Sequence, residues 1–250
     1  MVDPVTTYLG STALERAADL FGKKVIGRWA DYRARRFIEQ FVEAVAAEDK
    51  RSAEEADVDQ RLTDIVADER KAAALFDAFR RVCFSASREI GPRVLALHMA
   101  EVVAGRVDDE EVSDAVMTAA ANLLDFEFEE MLSFAASKGV EGASFAESLE
   151  EVAVVITETV DFDSNWKGSR KAMGFLPLRM EMGSWALKLE QVGLLVQELS
   201  EEEFDYKEDS EAHIDEPGTV RRVHRNVELR EGTSYLVRLT RRAMRGRDSS

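Results

Sequence analysis

The chain reads as mainly α, a multi-helix bundle closed by a small C-terminal α+β module. Three observations carry that reading. Pro92–Ala104 is apolar nearly all round, and a helix without a polar face belongs in a core. Apolar residues recur at spacings of three and four over most of the first 160 positions, the helical period. Near the C-terminus the pattern changes to a helix, two short β-like runs and a basic helix.

The elements are justified in order. Ser11 or Thr12 is read as the N-cap of a helix to about Ala47, with Leu14, Phe21, Val25, Trp29, Phe37 and Phe41 on one face. Gly22 and Gly27 mark a kink in it. Its many cations would suit an anionic membrane surface. Packing of Trp29 and Phe37 on the protein body is preferred, so membrane contact by residues 12–47 is not expected.

Glu48–Glu55 is a polar connector. Short helices are expected around Val58–Val66 and from Asp68 to Phe84, followed by a Ser85-Ala86-Ser87 turn. Pro92 suits the first position of the central helix and Gly105 its C′ position. Asp108 or Asp109 then caps a helix, Asp125 caps another that stops at Gly139, and Ser144 starts one running to about Thr159. Asp161–Phe175 reads as loop, Leu178–Val192 as one helix with Gly193 at its end, and Leu194–Val196 as a short strand. An acidic excursion, Ser200–Glu216, leads through Pro217-Gly218 to a strand at Val220–Leu229. Ser234–Arg245 closes as a basic helix. The expected domains are therefore 1–160 (helical), 161–177 (linker), 178–245 (C-terminal module) and 246–250 (tail).

Composition bounds the function. The 250 residues suffice for one large domain or two modest ones, and 45% hydrophobic content is globular. One cysteine, Cys83, rules out an internal disulfide or a multi-cysteine metal site and suits a reducing cytoplasm. No run is apolar for the roughly 20 residues a membrane span needs, and no signal peptide is seen, so the whole chain is expected to be the mature protein. The net charge of −16 is segregated: −2 over residues 1–105, −20 over 106–218 and +6 over 219–250. Segregation restricts where a polyanion could bind without excluding one.

Local motifs yield little chemistry. His98 and Glu101 stand three apart, but di-iron bundles use the reverse order and need more carboxylates, so a hydrogen-bonded core histidine is preferred. Asp161-x-Asp163-x-Asn165 begins like a calcium loop, but Trp166 and Ala172 stand where glycine and a bidentate glutamate are needed. Ser164-x-x-Lys167 has the spacing of some acyl-enzymes and lacks their companion motifs. Asp205-Tyr206-Lys207 matches only the end of a nuclease motif. Phosphate and dinucleotide fingerprints are absent. No catalytic, cofactor or metal residues are expected, and the chain is not expected to be an enzyme.

The order of parts, with Leu189-Glu190-Gln191-Val192-Gly193-Leu194-Leu195 before a polar insert and Tyr235-Leu236-Val237-Arg238-Leu239-Thr240 at the end, resembles the bacterial abortive-infection alpha family and similar uncharacterised prokaryotic helical proteins. The likeness covers residues 60–245 in layout and departs where Arg241-Arg242 replace an expected glycine. It implies a winged-helix-like C-terminal module and a phage-defence or regulatory role in a bacterial cytoplasm.

The function expected is a non-catalytic interaction or regulatory protein with a protein partner or self-association. The runner-up is a nucleic-acid-binding regulator using the winged-helix-like module. Arg221, Arg222, Arg225, Arg238, Arg241 and Arg242 are the candidate contacts for either partner, because guanidinium groups suit both carboxylates and phosphates. Nucleic acid is disfavoured because Leu178–Val192 balances Arg179 and Lys188 with Glu181 and Glu190.

Overall fold

The computed structural model describes residues 27–49, 58–163, 175–206 and 218–247. Among them are ten helices and a three-stranded antiparallel sheet, so the chain is mainly helical. The contacts divide the described chain into two compact units. One draws on Met1–Asp108, Ala120–Asp125 and Arg242–Ser250, the other on Asp109–Ala119 and Phe126–Arg241.

In the first unit α1 (Gly27–Asp49) and α3 (Glu69–Cys83) pack on α4 (Ile90–Val103), and α2 (Val58–Ala67) packs on α3 and α1. Phe37 stacks on Phe41 at 6.1 Å and meets the edge of Phe79 at 6.4 Å, which fixes α1 against α3. Arg33 donates to the carbonyls of Ser87 and Cys83, and the Tyr32 hydroxyl donates to Glu89 at 2.9 Å. These polar residues of α1 therefore bind the α3–α4 turn.

All of α4 except Val102 is buried. A helix leaves its leading N–H groups without partners inside itself, and a buried one cannot leave them to water. Asp125 and Ser87 supply the partners. The Asp125 carboxylate accepts from the N–H groups of Arg88, Glu89 and Ile90 at 3.1, 3.2 and 2.9 Å and from the Ser87 hydroxyl. Ser87 Oγ accepts from Gly91 at 2.7 Å, and Pro92 has no N–H to satisfy. Gly91 is required because a Cβ there would lie 2.6 Å from the Ala120 carbonyl oxygen. At the other end Gly105 has φ +73°, with Gly105 N–H on Val102 and Arg106 N–H on Glu101, a Schellman closure.

Two expectations for this stretch are corrected. α4 begins at Ile90, so Pro92 stands third in the helix and not first. Asp125 opens the helix Asp125–Ser137, as expected, but its carboxylate serves the start of α4.

The second unit holds a sheet in the order β1-β3-β2, with β1 (Ala153–Asp163), β2 (Leu195–Tyr206) and β3 (Gly218–Leu229) antiparallel to their neighbours. α5 (Glu110–Asn122, its first three turns in this unit), α6 (Asp125–Ser137), α7 (Phe145–Glu150), α8 (Leu178–Glu181), α9 (Ser184–Gln191) and α10 (Thr233–Arg247, in this unit through Arg241) complete the element order. Its core includes Phe128, Met131, Phe145, Trp185, Leu189 and Tyr235, with Phe145 and Tyr235 edge to face at 5.1 Å. Ser144 and Glu147 form a capping box that starts α7. Gly193, φ +78°, ends α9 by a second Schellman pattern, and the Leu194 carbonyl then accepts from Arg230 N–H and Thr233 Oγ1. The Gly-Leu-Leu step is thus a helix-to-strand turn.

The structure corrects three element readings here. The helix expected from Ser144 to Thr159 ends at Glu150, and residues 153–163 form β1, which also makes strand of Asp161–Asp163, the start of the stretch read as loop over Asp161–Phe175. Val154, Val155, Ile156, Thr157, Thr159 and Val160 are β-branched and favour a paired strand over a helix. The single helix expected over Leu178–Val192 is two, broken at Gly183, whose φ of +103° no helix admits. The short β-like run at Leu194–Val196 extends to Tyr206, so the first seven residues of the acidic excursion are strand. The helix start at Ser11 or Thr12, the Gly22 kink, the Trp29 side chain, most of the Glu48–Glu55 connector, the loop over 164–174 and the excursion beyond Tyr206 lie outside the described residues.

Two outcomes are expected. Asp125→Ala strips the leading turn of α4 of its acceptor and lowers unfolding free energy by roughly 2 kcal/mol, read from the denaturant midpoint. An unchanged midpoint would show that the cap contributes nothing. Because α1 spends Tyr32 and Arg33 on the protein, the full chain should not co-float with anionic vesicles. Salt-sensitive co-flotation lost on Arg35→Glu/Arg36→Glu would restore the membrane reading.

Candidate interaction surface

Alternation along β3 divides its arginines between the two faces of the sheet. Arg221 and Arg225 lie on the face that also carries Val223, Val227 and Leu229, all three buried. Arg222 and His224 lie on the opposite face.

Arg222 is held from both sides. Its Nε and Nη2 donate to the two oxygens of Asp161 at 2.7 and 2.9 Å, a bidentate pair across β1 and β3. Glu202 on β2 lies 3.5 Å from Nη1. The hydrogen bonds from Arg222 hold the Asp161 carboxyl below its ordinary pKa, and the same contacts raise that of Arg222. His224 lies between Thr159 Oγ1 at 3.0 Å and Glu202 Oε1 at 3.2 Å. Each of these β3 side chains thus bridges to both neighbouring strands.

Arg225 is 1% exposed and is not a surface contact, which corrects its place among the candidates. Its guanidinium donates to Glu158 on β1, to Glu181 on α8 and to the Leu176 carbonyl, and stacks on the Phe175 ring at 4.9 Å. A buried cation needs such partners, and Arg225 thereby fastens α8 to the sheet.

The remaining candidates are scattered. Arg221 pairs with Glu201 at 2.9 Å, Arg238 lies over the Tyr235 ring at 5.1 Å, and Arg241 donates to the Val140 carbonyl at 3.2 Å. Arg242 belongs to the first unit and donates to Glu101 at 2.9 Å. Within the second unit Arg221 and Arg222 lie on opposite faces of the sheet and Arg225 is buried, so these three do not share one surface.

Three groups were missed in the sequence. Arg230 bridges Glu198 at 2.9 Å and Glu228 at 3.1 Å. Glu127, 1% exposed on α6, takes the Ser184 hydroxyl and the Lys188 ammonium of α9 on its two oxygens, both at 2.5 Å. Lys188 is therefore committed, and α9 exposes Leu187, Glu190 and Gln191. Glu158 and Asp161 could have been found only by reading their β-branched setting as a strand.

His98 and Glu101 are both buried on α4. Glu101 meets Arg242, with Arg106 at 3.9 Å. Burial, aided by the nearby Arg81 charge, lowers the His98 pKa to about 4. Among the described residues, no three histidine, cysteine, aspartate or glutamate side chains stand together as metal ligands. No described helix is long and apolar enough to cross a membrane. Comparisons with protein-family models, curated proteins and solved structures find no match to the chain.

The depressed His98 pKa makes stability depend on pH in a defined direction. The fold holds the neutral imidazole, so the contribution is complete above the ordinary value of 6.5 and is lost as pH falls toward 4. At about 1.4 kcal/mol per unit, the loss is on the order of 3 kcal/mol. Thermal melts of the full chain should shift downward across that window, and His98→Leu should flatten the shift. Equal slopes for the two proteins would refute the assignment.

Proposed function

We propose that this chain is a non-catalytic cytoplasmic interaction or regulatory protein. In this reading residues 178–245, completed by β1, form a winged-helix-like module that contacts protein and not nucleic acid. One observation carries the choice of partner: the module's own acids occupy its sheet cations. Arg221, Arg222, Arg225 and Arg230 pair with Glu201, Asp161, Glu158/Glu181 and Glu198, and outside the module Glu127 of α6 takes Lys188 of α9. The strands carry nine acids against three arginines. Phosphate binding draws its affinity from cations that release counterions from the polyanion, and here acids outnumber the arginines on the same strands and repel a polyanion even where an exposed pair opens.

The runner-up reading, a nucleic-acid-binding regulator, has the topology in its favour. Two helices followed by two antiparallel strands, with an earlier strand on the far side of the second, are the element order that a winged-helix reading asks for. Against it, the second of those helices exposes Leu187, Glu190 and Gln191 where arginine or lysine would read bases and phosphates. A role in phage defence follows from the resemblance of the Val192–Leu195 step and the Tyr235–Thr240 segment to abortive-infection proteins.

Anisotropy titration of the full chain against duplex DNA tests the choice. β1 belongs to the sheet, so a fragment beginning near residue 175 would lack a strand. Weak binding without a steep salt dependence is expected. Submicromolar, salt-sensitive affinity lost on Arg221→Glu/Arg222→Glu would establish the nucleic-acid reading instead.

A further inference from the structure

The sheet ends on β2, which pairs with β3 on one side and with no other strand among the described residues. A strand packed on one face buries alternate residues. Residues 198–203 break that rule, for all six are exposed, including Leu199 at 57%. Both faces of this stretch are therefore open, and its outward N–H and C=O groups form a strand-pairing template. Six residues give about 20 Å of edge, enough for one added strand.

Charge selects the occupant. The stretch reads Glu198-Leu199-Ser200-Glu201-Glu202-Glu203. Like charges directly opposite each other destabilise a strand pair. Antiparallel pairing of two copies about Ser200 and Glu201 sets Glu198 against Glu203, and in-register parallel pairing sets each glutamate against itself. A second copy is thus disfavoured. A basic strand meets each glutamate with its opposite, and an apolar side chain meets Leu199. The existing pairs of Glu198, Glu201 and Glu202 with Arg230, Arg221 and Arg222 do not block this, since half-exposed ion pairs exchange partners at small cost.

We infer that the outer edge of β2, Glu198–Glu203, receives a basic extended segment of a partner protein as a fourth strand of the sheet. The inference rests on the protein-contact reading of the module and names both the contact surface and the partner's chemistry.

The test uses the full chain and a labelled peptide with the core Lys-Lys-Lys-Thr-Val-Lys, which sets lysines antiparallel to the glutamates and valine opposite Leu199. Controls are the same peptide with glutamate for lysine and one N-methylated at alternate amides. Amide hydrogen exchange is expected to slow over residues 198–203 on adding the basic peptide. Binding should weaken about tenfold or more with the N-methylated peptide, equivalent to about 1.4 kcal/mol. It should weaken similarly in Glu201→Lys/Glu203→Lys, whose substitutions lie on an exposed strand and leave the core alone. No protection at residues 198–203, or equal binding of the N-methylated peptide, would overturn the inference. If the peptide fails while duplex DNA also fails to bind, only the edge site falls; tight DNA binding would remove the protein-contact reading itself.

Discussion

A helix buried along nearly its whole length presents its leading donors to protein and not to open solvent, so α4 depends on protein groups for the donors of its first turn. Asp125 and Ser87 meet them, proline removes another, and Gly105 closes the far end. Burial tends to raise the Asp125 carboxyl, but its bonds to Ser87 and to the N–H groups of Ile90, Glu89 and Arg88 outweigh it and hold the pKa low. The carboxylate is therefore charged at neutral pH, where a negative group beside a helix N-terminus is also favoured by the macrodipole. The rest of the first unit follows from this closure. Once α4 can stand in an apolar setting, α1 and α3 can cover it, and His98 and Glu101 must sit where water does not reach.

The second unit solves a different problem, that of placing many charges on a small sheet. Acids on β1 and β2 flank arginines on β3, so opposite charges face each other across both ladders. Where the sheet is covered, the same pairing turns inward, and Arg225 takes two carboxylates and a carbonyl. Glu127 does the equivalent for α9. A cation count alone would mark the C-terminal segment as a polyanion binder, whereas the arginines of β3 and Arg230 are each paired with an acid. The surplus acid stays on β2, which pairs with β3 alone among the described strands, and where charge also guards against self-association.

Helix periodicity and punctuation were legible over most of the chain because they are local. The apolar run of α4, its C′ glycine, the Ser144 start of α7 and the Gly193 end of α9 each follow from residues within a few positions of one another. The strand at Val220–Leu229 and the closing basic helix were visible for the same reason.

What the sequence could not decide depended on partners distant along the chain. Val152–Val160 has helical spacing and β-branched composition together, and pairing with β3 some 70 residues later decided for strand. The destination of Asp125 was settled by the approach of a turn 35 to 38 positions away. Each arginine was legible as a cation, yet whether it was free, bridged or buried depended on carboxylates up to 141 positions distant. By itself, then, the sequence determined a helical chain with a buried central helix and segregated charge, since propensity and hydrophobic period act over a few residues. Only the tertiary structure decided which charges remain available, because pairing and burial are properties of positions brought together by the fold.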